Sequence, residues 1–285
     1  MHPAGVWPVA FRGEVHREAK RYEEAVADLS RAITLDPGYV WAISCRGLTY
    51  QLMERYADAL ADFDRALELD PGSAWALGIR GETYRLMDRR EKALADFADA
   101  LEADPGYHWV LSSRGALHRD AARFREALVD FDRAIELEPD GLPSVEKRAE
   151  TYRAMGRFDE ALTTFGDVLR REPENAWVRY QVGLMRWQQG EKTLADNEFA
   201  EAVELERVVL PRAAGREFTV AVHLSARGLP EPALTQLRAA LAAPHDAEDV
   251  QAALDDFAEL HRTTGHDVSR PVSLLRTAMA DYRQR

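Results

Sequence analysis

Residues 40–141 read VWAISCRGLTYQLMERYADALADFDRALELDPGS (40–73), AWALGIRGETYRLMDRREKALADFADALEADPGY (74–107) and HWVLSSRGALHRDAARFREALVDFDRAIELEPDG (108–141). The three blocks are 34 residues each and align without a gap. A fixed period of this size marks a repeat array, so a given position meets the same environment in every copy. Counting positions from Val40, the glycines Gly47, Gly81 and Gly115 stand at position 8 and the alanines Ala59, Ala93 and Ala127 at position 20. Phe63, Phe97 and Phe131 stand at 24, and Pro71, Pro105 and Pro139 at 32. Small residues let two helices approach closely, and the phenylalanine fills the space between them. The Asp-Pro or Glu-Pro pair then ends the second helix, because proline lacks the N–H and restricts the residue before it.

This pattern resembles the tetratricopeptide repeat, a helix-turn-helix unit of 34 residues. The resemblance implies an all-α right-handed superhelical solenoid in which the first helix of each unit lines a concave groove. Extending the register gives six units: 6–39, 40–73, 74–107, 108–141, 142–175 and 176–209. Gly13, Ala25, Leu29 and Pro37 hold it backwards, and Ala161, Phe165, Pro173, Gly183, Ala195 and Phe199 hold it forwards. Residues 1–5 are expected to fray. The register breaks at VVLPRAAG, which reads as a linker at 208–215. A degenerate seventh unit follows within 210–247, carried by Gly228, Ala233, Leu237 and Ala240. Residues 248–285 form a helical C-terminal cap, with helices expected over 247–263 and 271–284, their polar outer faces suited to end an array.

The 285 residues are 46% hydrophobic with a formal net charge of −12. That balance argues against a nucleic-acid or anionic-membrane binder, which needs a basic surplus. Cys45 is the single cysteine, which excludes an internal disulfide and fits a reducing compartment. MHPAGVWPVAF lacks the basic and apolar regions of a signal peptide, and no stretch approaches the ~20 apolar residues of a membrane span. The chain reads as soluble and cytoplasmic.

Catalytic signatures are absent: no Walker loop, no G-x-S-x-G, no H-E-x-x-H and no dinucleotide glycine fingerprint. His2, His16, His108, His118, His223, His245, His261 and His266 do not share ligand spacing on one helix. The expectation is therefore a non-enzyme without cofactor or metal.

Two other regularities bear on binding. Trp7, Trp41, Trp75, Trp109 and Trp177 occupy position 2, interrupted by Pro143. The resemblance assigns position 2 to the concave face, with 5, 9 and 12 on the same stripe by helical spacing. Position 5 is small in the middle units (Ser44, Gly78, Ser112), leaving room beside the indoles. Position 12 carries Arg17, Arg85, Arg119 and Arg153, with Gln51 and Trp187 as exceptions. One reading makes Trp41, Trp75, Trp109, Trp177, Arg85, Arg119, Arg153 and Gln51 a partner-binding groove of aromatic platforms beside guanidinium groups, suited to an extended peptide with apolar and acidic side chains. The other has each indole pack against the preceding unit's loop, and both can hold for one ring.

The second regularity is arginine at position 7 (Arg12, Arg46, Arg80, Arg114, Arg148) with aspartate at 23 (Asp28, Asp62, Asp96, Asp130). Antiparallel helices bring these positions together. Hence Arg46–Asp62, Arg80–Asp96 and Arg114–Asp130 are expected as partly buried pairs that fix register. Positions 1–14 of the first six units sum to +6, and positions 15–32 of the first five to −11. A mildly basic groove on an acidic molecule points to an acidic ligand. Position 9 lacks the asparagine that the family's carboxylate-clamp members use, which speaks against capture of a chaperone's C-terminus. The function implied is a protein–protein interaction scaffold binding a peptide partner, with a homodimer through a terminal repeat as a further possibility. The R-G-x-x-Y and A-D-F-D-R-A motifs also resemble sensor arrays of bacterial signalling proteins. The alternative is thus a ligand-sensing or regulatory subunit acting on a separate ATPase, kinase or protease.

Overall fold

The computed structural model describes residues 5–209, 216–243 and 245–282. Among them are sixteen α-helices and no strand: α1 (Val6–Glu18), α2 (Tyr22–Leu35), α3 (Val40–Leu52), α4 (Tyr56–Leu69), α5 (Ala74–Leu86), α6 (Arg90–Ala103), α7 (His108–Asp120), α8 (Phe124–Leu137), α9 (Leu142–Ala154), α10 (Phe158–Arg171), α11 (Ala176–Gln188), α12 (Lys192–Val209), α13 (Arg216–Ala226), α14 (Pro230–Ala242), α15 (Ala247–Thr264) and α16 (Ser269–Tyr282). Two compact units divide the chain, Met1–Thr151 and Tyr152–Arg285.

In the first unit α1–α2, α3–α4, α5–α6 and α7–α8 are antiparallel hairpins on one plan. The turn is set at position 15, where Lys20, Glu54, Asp88 and Ala122 take left-handed backbone conformations with φ of 54–59°. This lets two amides turn back onto the first helix: Ala122 N–H donates to the Arg119 carbonyl and Arg123 N–H to the His118 carbonyl, each at 2.8 Å. Orphan carbonyls at the helix end are thereby satisfied. Phe63, Phe97 and Phe131 are fully buried between the helices of their hairpins. Their rings lie so close to position 8 that a Cβ on Gly81 would meet Phe97 at 2.8 Å. Successive hairpins share one core. Leu77, Ala93, Phe97 and Ala100 of one hairpin cluster with Val110 and Leu117 of the next.

The second unit holds α10, the hairpins α11–α12 and α13–α14, and the pair α15–α16. Here the structure adjusts the sequence-based boundaries. The linker expected from 208 starts later, since α12 continues through Val209; residues 210–215 lie outside those described, as do 1–4 of the expected frayed end. Helix α16 starts at Ser269 rather than 271, because the Asp267 carboxylate accepts the Ser269 N–H and Pro271 falls harmlessly in the first turn. Helix α15 opens with a capping box between Asp246 and Asp249 and closes on Gly265 at φ 72°.

The larger difference concerns what α15 covers. Its Val250, Ala253, Phe257 and Leu260 are buried in one cluster with Tyr180 and Leu184 of α11 and Phe218 and Val222 of α13. Tyr180 and Leu184 are positions 5 and 9 of the sixth unit. The helix read as an end cap therefore lies along the first-helix stripe, the face the groove would occupy.

Candidate functional site

The position-7 arginines form a ladder. Arg46 donates through Nε and Nη2 to Asp62 at 2.8 and 2.6 Å, Arg80 to Asp96 at 2.8 and 2.7 Å, and Arg114 to Asp130 at 2.9 and 2.6 Å. All three are planar two-pronged pairs whose aspartates are buried. Arg12 makes the same pair with Asp28 at the solvent-exposed end, and holds that carboxyl below the usual range. A third prong reaches the preceding unit: Nη1 of Arg46 donates to Ser30 Oγ at 3.0 Å, that of Arg80 to Asp64 at 2.8 Å, and that of Arg148 to Asp132 at 2.9 Å. Ser30, Asp64 and Asp132 share position 25, which the sequence reading passed over. The one interior arginine without this prong is Arg114, where position 25 is Ala98. Polar residues at 25 were the available signal. The ladder thus binds the two helices of one unit and also one unit to the next.

The tryptophans lie toward the loops. The indoles of Trp41 and Trp109 tilt against Tyr39 and Tyr107 with centroids 5.8 and 5.9 Å apart, and Trp177 meets Phe165 edge-on at 5.9 Å. Trp41 and Trp75 also pack on the cluster of Ala10, Leu29, Ala42 and Cys45. The room expected at position 5 is filled. A Cβ on Gly78 would stand 2.9 Å from Val110 Cγ2 and 3.3 Å from Trp109 Cζ3, and Ser44 and Ser112 are buried. Small residues there admit the next unit, because the superposed first helices must nearly touch. Trp177 instead borders a surface recess of about 610 Å³ with Pro173, Asn175 and Leu205.

The polar half of the stripe comes together in the first unit. Arg85 pairs with Glu82 at 2.6 and 2.8 Å, and Arg119 pairs with Glu150 of the next first helix and with Asp120. Gln51 Oε1 accepts from the Thr83 hydroxyl at 3.1 Å. Beside these groups sits Lys147, whose ammonium donates to Ser112 Oγ at 3.2 Å and, among the described residues, meets no carboxylate within salt-bridge distance. Burial, with Arg119 nearby as a lesser cause, lowers its pKa. Glu82, Arg85, Arg119, Lys147 and Glu150 thus make a half-buried cluster of three cations and two carboxylates.

The corresponding stripe of the second unit differs. Arg153, assigned to the same groove, gives its Nη1 to Glu259 of α15 at 2.5 Å. Positions 5, 9 and 12 of α11 are Tyr180, Leu184 and Trp187, which pack into the α15 seam. The substitution of Trp187 for arginine was the visible sign that this stretch faces protein rather than solvent. His223 of α13 is also in this seam, stacked on Tyr180 at 4.6 Å and fully buried. Cys45 is buried beside Glu14, and its thiol pKa is pushed far up by burial.

These features define an all-α array of helical hairpins, held by aromatic plugs and an arginine ladder, with a half-buried charged cluster on first helices of the N-terminal unit. Tetratricopeptide-repeat models match residues 13–54, 40–73, 76–107 and 146–217, more than half of the chain. The chain belongs to the tetratricopeptide-repeat proteins. No curated protein matches it in sequence. Among solved structures it is similar to a tetratricopeptide repeat protein from Parabacteroides merdae at 15% identity, covering 96% of this chain and 98% of that one with a TM-score of 0.62. It is also similar to PilF of Pseudomonas aeruginosa at 17% identity, 73% and 93% coverage and TM-score 0.62. YrrB, described as a repeat protein with an unusual peptide-binding site, matches at 22% identity, 63% and 93% coverage and TM-score 0.53. At such identities the likeness concerns the fold. The fold is one of protein–protein interaction scaffolds, and no described helix is long and apolar enough to cross a membrane.

Proposed function

We propose that this protein is a non-enzymatic scaffold whose first-helix face in the N-terminal unit binds an extended, partly acidic segment of a partner protein. The observation that carries the reading is the contrast between the two units. Where α15 lies on the stripe, positions 5, 9 and 12 are large and apolar. In the first unit, positions 9 and 12 of neighbouring first helices instead hold Glu82, Arg85, Arg119 and Glu150 around Lys147. Such a surface offers no apolar seam for a helix. It offers half-desolvated cations whose hydrogen bonds to a carboxylate are worth more than at a fully wet surface. Lys147 is the anchor, because among the described residues its ammonium has only a hydroxyl acceptor. The half-exposed edges of Trp41, Trp75 and Trp109 supply apolar contact beside it. The peptide-binding site of YrrB accords with this use of the fold.

Affinity purification from the native cell, with mass spectrometry, tests the reading. A partner retained by the wild type and lost with Arg119→Glu/Lys147→Glu supports it, as does weaker retention in high salt. An unchanged set of partners in that variant rules the face out.

A further inference from the structure

Helix α1 carries a second, separate surface. Trp7, Phe11 and Val15 recur every four residues along one side and are 60%, 48% and 43% exposed. Trp7 and Phe11 stack with centroids 5.1 Å apart and planes at 10°. In the later units position 10 is buried throughout and position 6 is buried or half-buried. At position 6, Cys45 is 2% exposed, and at position 10 Thr49 and Thr83 are fully buried. What shuts them is the preceding hairpin: α2 packs on α3, and the Thr83 hydroxyl reaches back to Gln51. The exposed stripe of α1 is therefore the same interface that joins one unit to the next, without its other half among the described residues. An exposed face of this kind is normally polar, and this one is aromatic.

The charge beside the stripe repeats the interior pattern too. Nη1 of Arg46, Arg80 and Arg148 donates to a side chain on the preceding second helix. Arg12 uses Nε and Nη2 on Asp28, as Arg46 and Arg80 do on Asp62 and Asp96, and its side chain is more than half exposed. Among the described residues its Nη1 has no acceptor of the kind that Ser30, Asp64 and Asp132 supply to the others.

We propose that the α1 face of Trp7, Phe11, Val15 and Arg12 docks an amphipathic helix of a partner protein that carries an acidic residue at the height of Arg12. Continuity with the interior interface fixes the geometry, and the free Arg12 prong fixes the charge. A second copy of this chain is a poorer occupant, because its second helices in the first unit already spend this face on the hairpin that follows.

The test uses the whole protein and a fluorescent peptide of the α4 sequence, YADALADFDRALEL, stapled as a helix on its opposite face. In the interior this helix serves α5, with Asp64 on Arg80. Saturable anisotropy is expected, weakened roughly 10-fold or more by Phe11→Glu and by Val15→Glu, since each puts a charge into a closed apolar contact. Helix content should stay unchanged, because both positions are exposed. A probe with Asn at the Asp64 position should bind the unmodified protein about 5-fold less tightly, through loss of a charge-assisted bond. Absence of binding, or binding indifferent to both Phe11→Glu and the Asn probe, overturns the proposal. So does a dimer in sedimentation that Phe11→Glu abolishes, since the face would then belong to a second copy.

Discussion

At the scale of single residues, the turn at position 15 and the arginine at position 7 carry most of the specificity. Every hairpin in the first unit closes through a left-handed residue, and Ala122 holds φ 56° although it has a Cβ. That conformation costs a non-glycine residue about 1 kcal/mol. Ala122→Gly should recover part of it, seen as a higher urea midpoint, and an unchanged or lower midpoint would contradict the turn geometry. Arg80 is the opposite case. Replacing it with methionine leaves Asp96 buried without its counter-ion and cuts the link to Asp64, so a loss of about 3 kcal/mol is expected. Arg80→Met/Asp96→Leu should recover most of that loss, because the penalty lies in the orphaned carboxylate. Equal stability of Arg80→Met and wild type would deprive the ladder of its structural role.

At the scale of elements, α15 and α13 make the second unit sensitive to acid. Burial against Tyr180 drives the His223 pKa down to about 3, whereas an unfolded histidine titrates near 6.5. Between those values the unfolded chain binds a proton that the folded chain refuses. The contribution is fully present above pH ~6.5 and is lost as pH falls toward 3, at up to about 1.4 kcal/mol per pH unit. Denaturant midpoints of this unit should drop between pH 7 and pH 5, and His223→Phe should flatten that slope. An equal slope in both proteins would mean that another group titrates. Within the same seam Phe257 is fully buried, so Phe257→Ala should cost about 3–5 kcal/mol and loosen α15 from α11 and α13.

For the whole molecule, the consequence of stacked hairpins is locality. In the first unit each hairpin touches its neighbours in the chain and little else, so stability there is close to a sum over repeats and the interfaces between them, whereas α15 ties α11 to α13 in the second. Phe97→Ala removes a fully buried ring from the hairpin α5–α6 and should cost about 3–5 kcal/mol there. Hydrogen exchange should show protection lost in α5–α8 and kept in α13–α16. Uniform loss along the chain would instead mean a single cooperative core.

The sequence determined by itself whatever depends on the 34-residue period. Identical positions at identical spacing must share an environment, so the helix count, the Phe63–Phe97–Phe131 plugs and the Arg46, Arg80 and Arg114 positions opposite Asp62, Asp96 and Asp130 were legible before any coordinates. Much of the candidate stripe was legible for the same reason. What the period could not give was how each stripe is covered, since that involves residues with no fixed spacing to it. Only the tertiary structure placed Glu259 on Arg153 and α15 along Tyr180 and Leu184, filled the space beside Gly78 with Trp109 and Val110, and set Lys147 among Arg85 and Arg119 with its ammonium on Ser112. Periodicity reports which residues are equivalent; contact between non-equivalent ones is decided by how the helices pack.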